Sequence, residues 1–184
     1  MLFLMTTASL PADNLLEKQL AALAAGDSDA LAVLYQETRT QVFAFALSIL
    51  KNRHDAEDVL QDTYVRLYAA AGSYRPQGKP LAWILTVTKH LCYQRLREHS
   101  RRPEELSEEL AGLPPAVTPD EQVLLRACLD CLSDSERQVV TLHAVAGFRH
   151  REIADLLELS LPAVLSRYHR AIHKLRRLYE GGET

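Results

Sequence analysis

The side chains whose types and spacing could do chemistry here are charged and aromatic. Asp55, Asp58 and Asp62 recur at i, i+3 and i+7, with Glu57 and Gln61 beside them, so one helix carries a concentrated acidic face. Such a face either docks a basic partner surface, with charge steering the encounter, or complements the dipole of the first helical turn. Asp62 lies beyond that dipole's reach. Downstream, Trp83, Thr86, His90, Tyr93 and Arg97 share a helical face flanked by Lys89 and Arg95. From Lys79 to Arg102 the only acid is Glu98, against Lys79, Lys89, Arg95, Arg97, Arg101 and Arg102. Aromatics interleaved with cations suit single-stranded nucleic acid, because bases stack on rings while cations screen phosphates. The same rings serve equally as interface core. Near the C-terminus, Arg167, Arg170, Lys174 and Arg177 fall at i, i+3, i+7 and i+10, a basic stripe suited either to duplex phosphates or to solvent.

No catalytic constellation accompanies these groups. Cys128-Leu-Asp-Cys131, with Cys92 and His143 as helpers, could form a redox centre or half a zinc site. It lies within a helical pattern without a second pair, and cysteine is commonly a small core residue. The histidines form no HExxH-like spacing and there is no Gly-rich phosphate loop. We therefore assign no catalytic residue, metal or cofactor.

The elements that must position these groups are helical. Ala and Leu are abundant and glycine occurs only 7 times in 184 residues, so the fold class is all-α. Helices are predicted from about Asp13 to Ala25, from Asp27 or Ser28 to Asn52, from His54 or Asp55 to Ala71, and from Leu81 to Glu98. Pro76, Gly78 and Pro80 make a loop between the last two. Pro103, Pro114, Pro115 and Pro119, with Glu104, Glu105, Glu108 and Glu109, mark an acidic linker. Four more helical patterns follow near 119–131, 134–146, 149–158 and 161–179. The reading is two small helical domains, 1–102 and 119–184, joined by the Pro-containing linker 103–118.

The second domain contains a helix-turn-helix. Arg149 to Glu158 forms a short helix burying Ile153, Leu156 and Leu157; Leu159-Ser160 is the turn, with Ser160 capping the next helix and Pro162 in its first turn. Val164, Tyr168, Ala171, Ile172, Leu175 and Tyr179 make the buried face of that second helix. A short helix, a serine turn and a basic helix favour a DNA-reading element over a merely solvated face.

Composition agrees with this division. Hydrophobic residues make up 47% and charged residues 24%, a globular balance. The net charge of −3 is low for a protein that holds DNA unaided, yet it averages an acidic linker with basic helices. The opening Met1-Leu-Phe-Leu-Met5 is too short for a signal peptide, and no apolar run approaches a bilayer span, so we expect a cytoplasmic protein without membrane insertion.

Together these motifs resemble the extracytoplasmic-function (ECF) sigma factors of bacterial RNA polymerase. Asp55-Ala-Glu-Asp58-Val-Leu-Gln61-Asp-Thr63 is similar to their region 2.2, and Tyr74-Arg75 through Leu81-Ala-Trp83 to the stretch entering regions 2.3 and 2.4. Leu132-Ser-Asp-Ser-Glu-Arg137, Gly147, Glu152-Ile-Ala154 and Ser166-Arg167 with Arg170-Ala171 are similar to region 4. The resemblance implies that Asp55, Glu57, Asp58, Gln61 and Asp62 bind the β′ clamp helices of core polymerase. It implies that Tyr74, Arg75, Lys79, Trp83, Lys89, His90, Tyr93 and Arg97 read and melt the −10 promoter element. The second domain would sit on the β flap and read the −35 element through Arg149, Arg151, Ser160, Ala163, Ser166, Arg167, His169, Arg170 and Lys174. An anti-sigma factor would silence the protein. One departure concerns DNA: Leu165 stands where the family usually places a basic residue, and Arg149 and Arg151 would compensate through phosphates. The competing reading is a stand-alone helix-turn-helix regulator with a helical sensor domain, which would bind duplex DNA without polymerase.

Overall fold

The computed structural model describes residues 11–76, 78–101 and 130–181. Among them are seven α-helices and no strand: α1 (Pro11–Ala24), α2 (Asp29–Leu50), α3 (Arg53–Ala70), α4 (Pro80–Arg101), α5 (Asp134–Ala144), α6 (His150–Leu157) and α7 (Leu161–Gly181). The linker 103–118, the cysteine Cys128 and nearly all of the helix expected at 119–131 lie outside the described residues.

Local chemistry sets the helix ends. Lys51 closes α2 in the left-handed region (φ 59°), and Asn52 then caps α3 by accepting the Asp55 N–H at 3.0 Å. Ser133 and Glu136 form a reciprocal capping box at the start of α5: the Ser133 N–H donates to Glu136 at 2.9 Å, and the Glu136 N–H donates to the Ser133 hydroxyl at 3.4 Å. Ser160 caps α7 through the Ala163 N–H at 3.3 Å.

Helices α1 to α4 bury one face each. Leu16, Leu20 and Leu23 of α1 meet Leu34, Val42 and Phe45 of α2, Val59 and Leu67 of α3, and Ile84 and Leu85 of α4. Polar pairs fix the layers: the Tyr64 and Thr38 hydroxyls bond at 2.8 Å, and burial pushes the Tyr64 phenol up to about 12. Val139, Leu142, Phe148, Ile153 and Val164 of the second unit continue the same apolar cluster, with α5 packed on α2 and α6 against α4. The two helical units therefore share one core. Lys51 Nζ adds an ion pair to Asp134 at 2.6 Å.

In α7, Val164 and Ala171 are fully buried and Tyr168, Ile172 and Leu175 half-buried, but Tyr179 is 69% exposed, unlike its expected place on the inner face. The reason is length: α7 has 21 residues against 11 in α5, so its last turns overhang the helix it packs on.

Glu136 ties α5 to α7. Its carboxylate is 3% exposed and accepts from Lys174 Nζ at 2.6 Å and Arg170 Nε at 3.3 Å. Burial works against the ionised form, but Lys174, the Ser133 N–H and hydroxyl, and Arg170 outweigh it and hold the carboxyl at about 2. A depressed carboxyl stabilises the fold fully above its unfolded pKa and loses that contribution as pH falls through the folded value. Glu136→Ala should cost about 2–3 kcal/mol in chemical denaturation at neutral pH, and less as pH drops below about 4.5. Equal stability of the two proteins at neutral pH refutes this role.

Candidate nucleic-acid interface

The acidic face splits in two. Asp55 and Asp58 turn toward α4, where Arg95 lies at 3.8 Å from Asp55 and 2.9 Å from Asp58, and His99 lies 3.5 Å from Asp55. Glu57 is held by Arg53 at 2.6 Å. Gln61 and Asp62 face solvent, beside Val65 at 70% and Tyr68 at 55% exposure. Two exposed apolar side chains beside a free acid make a better docking patch than the paired acids do. Spacing singled out the aspartates by their charge; Val65 and Tyr68 continue the same outward face at i+3 and i+6 from Asp62 and carry no charge to mark them.

The aromatic–basic set also divides. Arg75, Lys79, His90, Tyr93 and Arg97 are exposed and Trp83 is half-buried. Tyr74, expected at the DNA surface, is buried: its ring packs on Trp83 with centroids 4.9 Å apart, and its hydroxyl donates to Glu17 Oε1 at 2.7 Å. Lys89, also expected there, is 7% exposed. It reaches across to the second unit, donating to the Leu156 carbonyl at 2.9 Å and pairing with Glu158 at 2.6 Å. Their burial has one cause: α1 covers the first and α6 the second.

In the helix-turn-helix, α6 ends on Glu158, whose φ of 58° supplies the sharp bend into Ser160. Arg149, Arg151, Ser160, Ser166, His169, Arg170 and Lys174 are exposed, and Ala163 and Arg167 half-buried. Arg170 and Lys174 are already engaged by Glu136, and Arg170 also donates to Ser166 at 2.7 Å. The cations of α6 and its cap, Arg149 and Arg151, stand outside that network.

The loop entering α4 and the turn before α6 face each other across a cleft of about 470 Å³ lined by Arg75, Lys79, Trp83, Gly147, Glu152 and Asp155. Lys79 lies 3.8 Å from Asp155. In this arrangement part of the expected −10 surface, Arg75, Lys79 and Trp83, faces the second unit across the cleft, while none of the expected −35 residues lines it.

Behind the helix-turn-helix, the His143 and His150 rings stack at 4.6 Å and both meet Tyr168 edge-on at 5.0 and 4.7 Å. His143 Nδ1 lies 2.9 Å from the Phe148 carbonyl, which can only accept, so Nδ1 carries the proton. Burial holds His150 below the usual imidazole range, and nearby His143 and His169 push it further down. Cys92 is buried, its thiol raised to about 12 by burial, and is inert as a nucleophile; Cys131 is half-buried.

Comparison with known proteins agrees with this layout. The Sigma-70 region 2 family matches residues 34–102, and Sigma-70 region 4 matches residues 122–175. The ECF RNA polymerase sigma factor SigK of Mycobacterium sp. (strain KMS) is 31% identical over 171 residues, covering 88% of this chain and 89% of that protein. SigE of Mycolicibacterium smegmatis is 31% identical over 152 residues, 78% of this chain and 59% of its own length. Among solved structures, CnrH in complex with the cytosolic domain of CnrY superimposes with a TM-score of 0.65 at 26% identity, covering 92% of this chain and 98% of that one. The sigma factor RpoE of Bartonella quintana, in complex with the anti-sigma factor NepR, shares the fold with a TM-score of 0.70 at 24% identity, covering 81% and 96%.

A histidine held neutral in the fold stabilises it fully above its unfolded pKa, and that contribution is lost as pH falls below it. Thermal stability should therefore decline from about pH 6.5 downward, and His150→Gln should flatten that slope. A melting temperature flat from pH 7 to pH 5.5 in the unaltered protein would contradict it.

Proposed function

The chain belongs to the ECF RNA polymerase sigma factors, and from that premise we propose which of its surfaces perform each step. A sigma factor directs promoter-specific initiation by binding core polymerase and recognising the −10 and −35 elements; it is an initiation factor, not an enzyme. In our reading, residues 1–102 dock on core polymerase and act on the −10 element, 103–118 form a connecting linker, and 119–184 read the −35 element, all in the cytoplasm where the chromosome lies. The observation that carries this is the order of a region 2 domain and a helix-turn-helix region 4 domain in one chain. The stand-alone regulator gives no account of the first of these.

The polymerase patch is Gln61, Asp62, Val65 and Tyr68, with Asp55 and Asp58 acting through α4 to hold α3 in place. Arg75, Lys79, His90, Tyr93, Arg97 and the edge of Trp83 serve the −10 strand, by charge and by stacking. Arg149 and Arg151 contact −35 phosphates, while Ser160, Ala163, Ser166 and Arg167 line the start of the reading helix. An anti-sigma protein is its negative regulator.

This conformation is not the promoter-bound one. The two elements lie about 25 base pairs apart, roughly 85 Å along the duplex at about 3.4 Å per pair. A compact chain of this length has a radius of gyration of about 16 Å, which cannot span that distance. The units must separate, breaking the Lys89 contacts and freeing the cations that line the cleft. Binding to polymerase supplies the differential affinity that shifts the population toward the open form.

The test is initiation by core polymerase from a promoter library. Promoter-specific transcripts should require this protein, and Asp62→Arg should lower core affinity at least about tenfold without altering helicity. Tight duplex binding by the protein alone, with no polymerase binding, would establish the regulator instead. Separately, Lys89→Ala should raise the radius of gyration measured by small-angle scattering, because the Leu156 carbonyl and Glu158 lose their partner. An unchanged radius means that Lys89 does not hold the closed form.

A further inference from the structure

We propose that Glu17 is a positioning residue for promoter melting, clipping the loop that enters α4 from a helix outside the matched region 2 residues. The proposal rests on the assignment of that loop to the −10 element. Glu17 lies on α1, and the Sigma-70 region 2 match begins at residue 34. Its Oε1 accepts from the Tyr74 hydroxyl at 2.7 Å and from the Gly78 N–H at 2.9 Å, residues 57 and 61 positions away. One carboxylate oxygen thus holds both the start and the end of the loop.

Each anchor is itself fixed. Helix α1 is fastened by Leu16, Leu20 and Leu23 in the core. Tyr74 is 8% exposed and packed on Trp83, so its hydroxyl sits at the end of an immobile ring. Gly78 has φ +68°, a conformation that side-chain-bearing residues adopt at a cost, and this turns its N–H back toward α1. A carboxylate bonding two neutral donors makes charge-assisted bonds, stronger than a neutral acceptor makes. Arg75, between the anchors, and Lys79, next to the second, are left exposed.

Ordering a loop costs roughly 1–2 kcal/mol per residue. A loop held before DNA arrives has met that cost in folding, so it need not be drawn from the interactions that separate the strands. The same clip brings Tyr74 against Trp83 and so sets the edge that Trp83 presents. Glu17 does not touch DNA in this scheme; it acts through the loop.

The experiment compares initiation on a duplex promoter with initiation on the same promoter carrying a preformed bubble over the −10 element, using core polymerase and the full chain. Glu17→Ala should lower open-complex formation on the duplex about tenfold or more. It should keep core affinity and give near-normal initiation on the bubble template. Glu17→Gln, which keeps the accepting oxygen, should restore most of the duplex activity, and Tyr74→Phe should show a smaller duplex-specific loss. Wild-type behaviour of Glu17→Ala on the duplex overturns the proposal, as does an equal loss on both templates, which marks a general folding role. If the unaltered protein initiates on neither template, the loop assignment falls and this proposal with it.

Discussion

A buried ammonium group decides the arrangement of this molecule. Lys89 is withdrawn from water on the first unit and finds both its partners, the Leu156 carbonyl and the Glu158 carboxylate, on the second. Burying an ammonium costs several kcal/mol, by order of magnitude, and here the partners offset that cost only while the units touch. Once they separate, water solvates Lys89 and Glu158 fully. Glu158 is already mostly exposed, so the ion pair holds the units in register without binding them strongly. The apolar continuation from Phe45 and Leu85 to Leu142 and Ile153 supplies the remaining attraction. A contact of this kind opens when a partner binds the separated form better, which is what a two-domain initiation factor requires.

The helices were legible because their signals are local. Periodicity placed all seven described helices within a few residues, and Ser160 capped α7 as its position before Pro162 suggested. Charged or amphipathic residues expected at the surface, such as Arg75, Tyr93, Arg149 and Arg151, are exposed. What sequence could not show is pairing across long separations. Nothing near Lys89 indicates that a helix 67 residues later will cover it, and nothing near Tyr74 points to Glu17, 57 residues earlier. Asp55 and Asp58 read as a free acidic face because Arg95 is 37 residues from Asp58 and belongs to another pattern. A period of 3.6 identifies which residues share a face; it does not tell which element that face meets.

Glu136 changes the meaning of the basic stripe in the same way. Arg170 and Lys174 belong to the helical series that suggests phosphate contact, yet a buried carboxylate already engages both. To meet DNA directly they would have to leave a partner that contributes to the fold. Glu136 offsets their charge over the middle of α7 and leaves its ends and the cap of α6 as the positive points. Binding by few phosphate contacts is weak and only mildly salt-dependent. Such binding suits a protein whose delivery to the promoter is performed by a much larger partner.

The net charge of −3 then follows from the division of labour. A factor that searched for DNA alone would need an uncompensated positive field over a continuous face. Here Arg95, Lys89, Arg170 and Lys174 each have an acidic partner inside the protein, and Lys79 has Asp155 across the cleft. Opening the units releases two of these cations, Lys79 and Lys89, both on the unit assigned to the −10 element. The pairs within each unit, Arg95 with Asp58 and Glu136 with Arg170 and Lys174, survive separation and keep each unit folded. Affinity for DNA therefore rises with the same motion that lets the chain span a promoter, at the cost of exposing the apolar surface that the two units share.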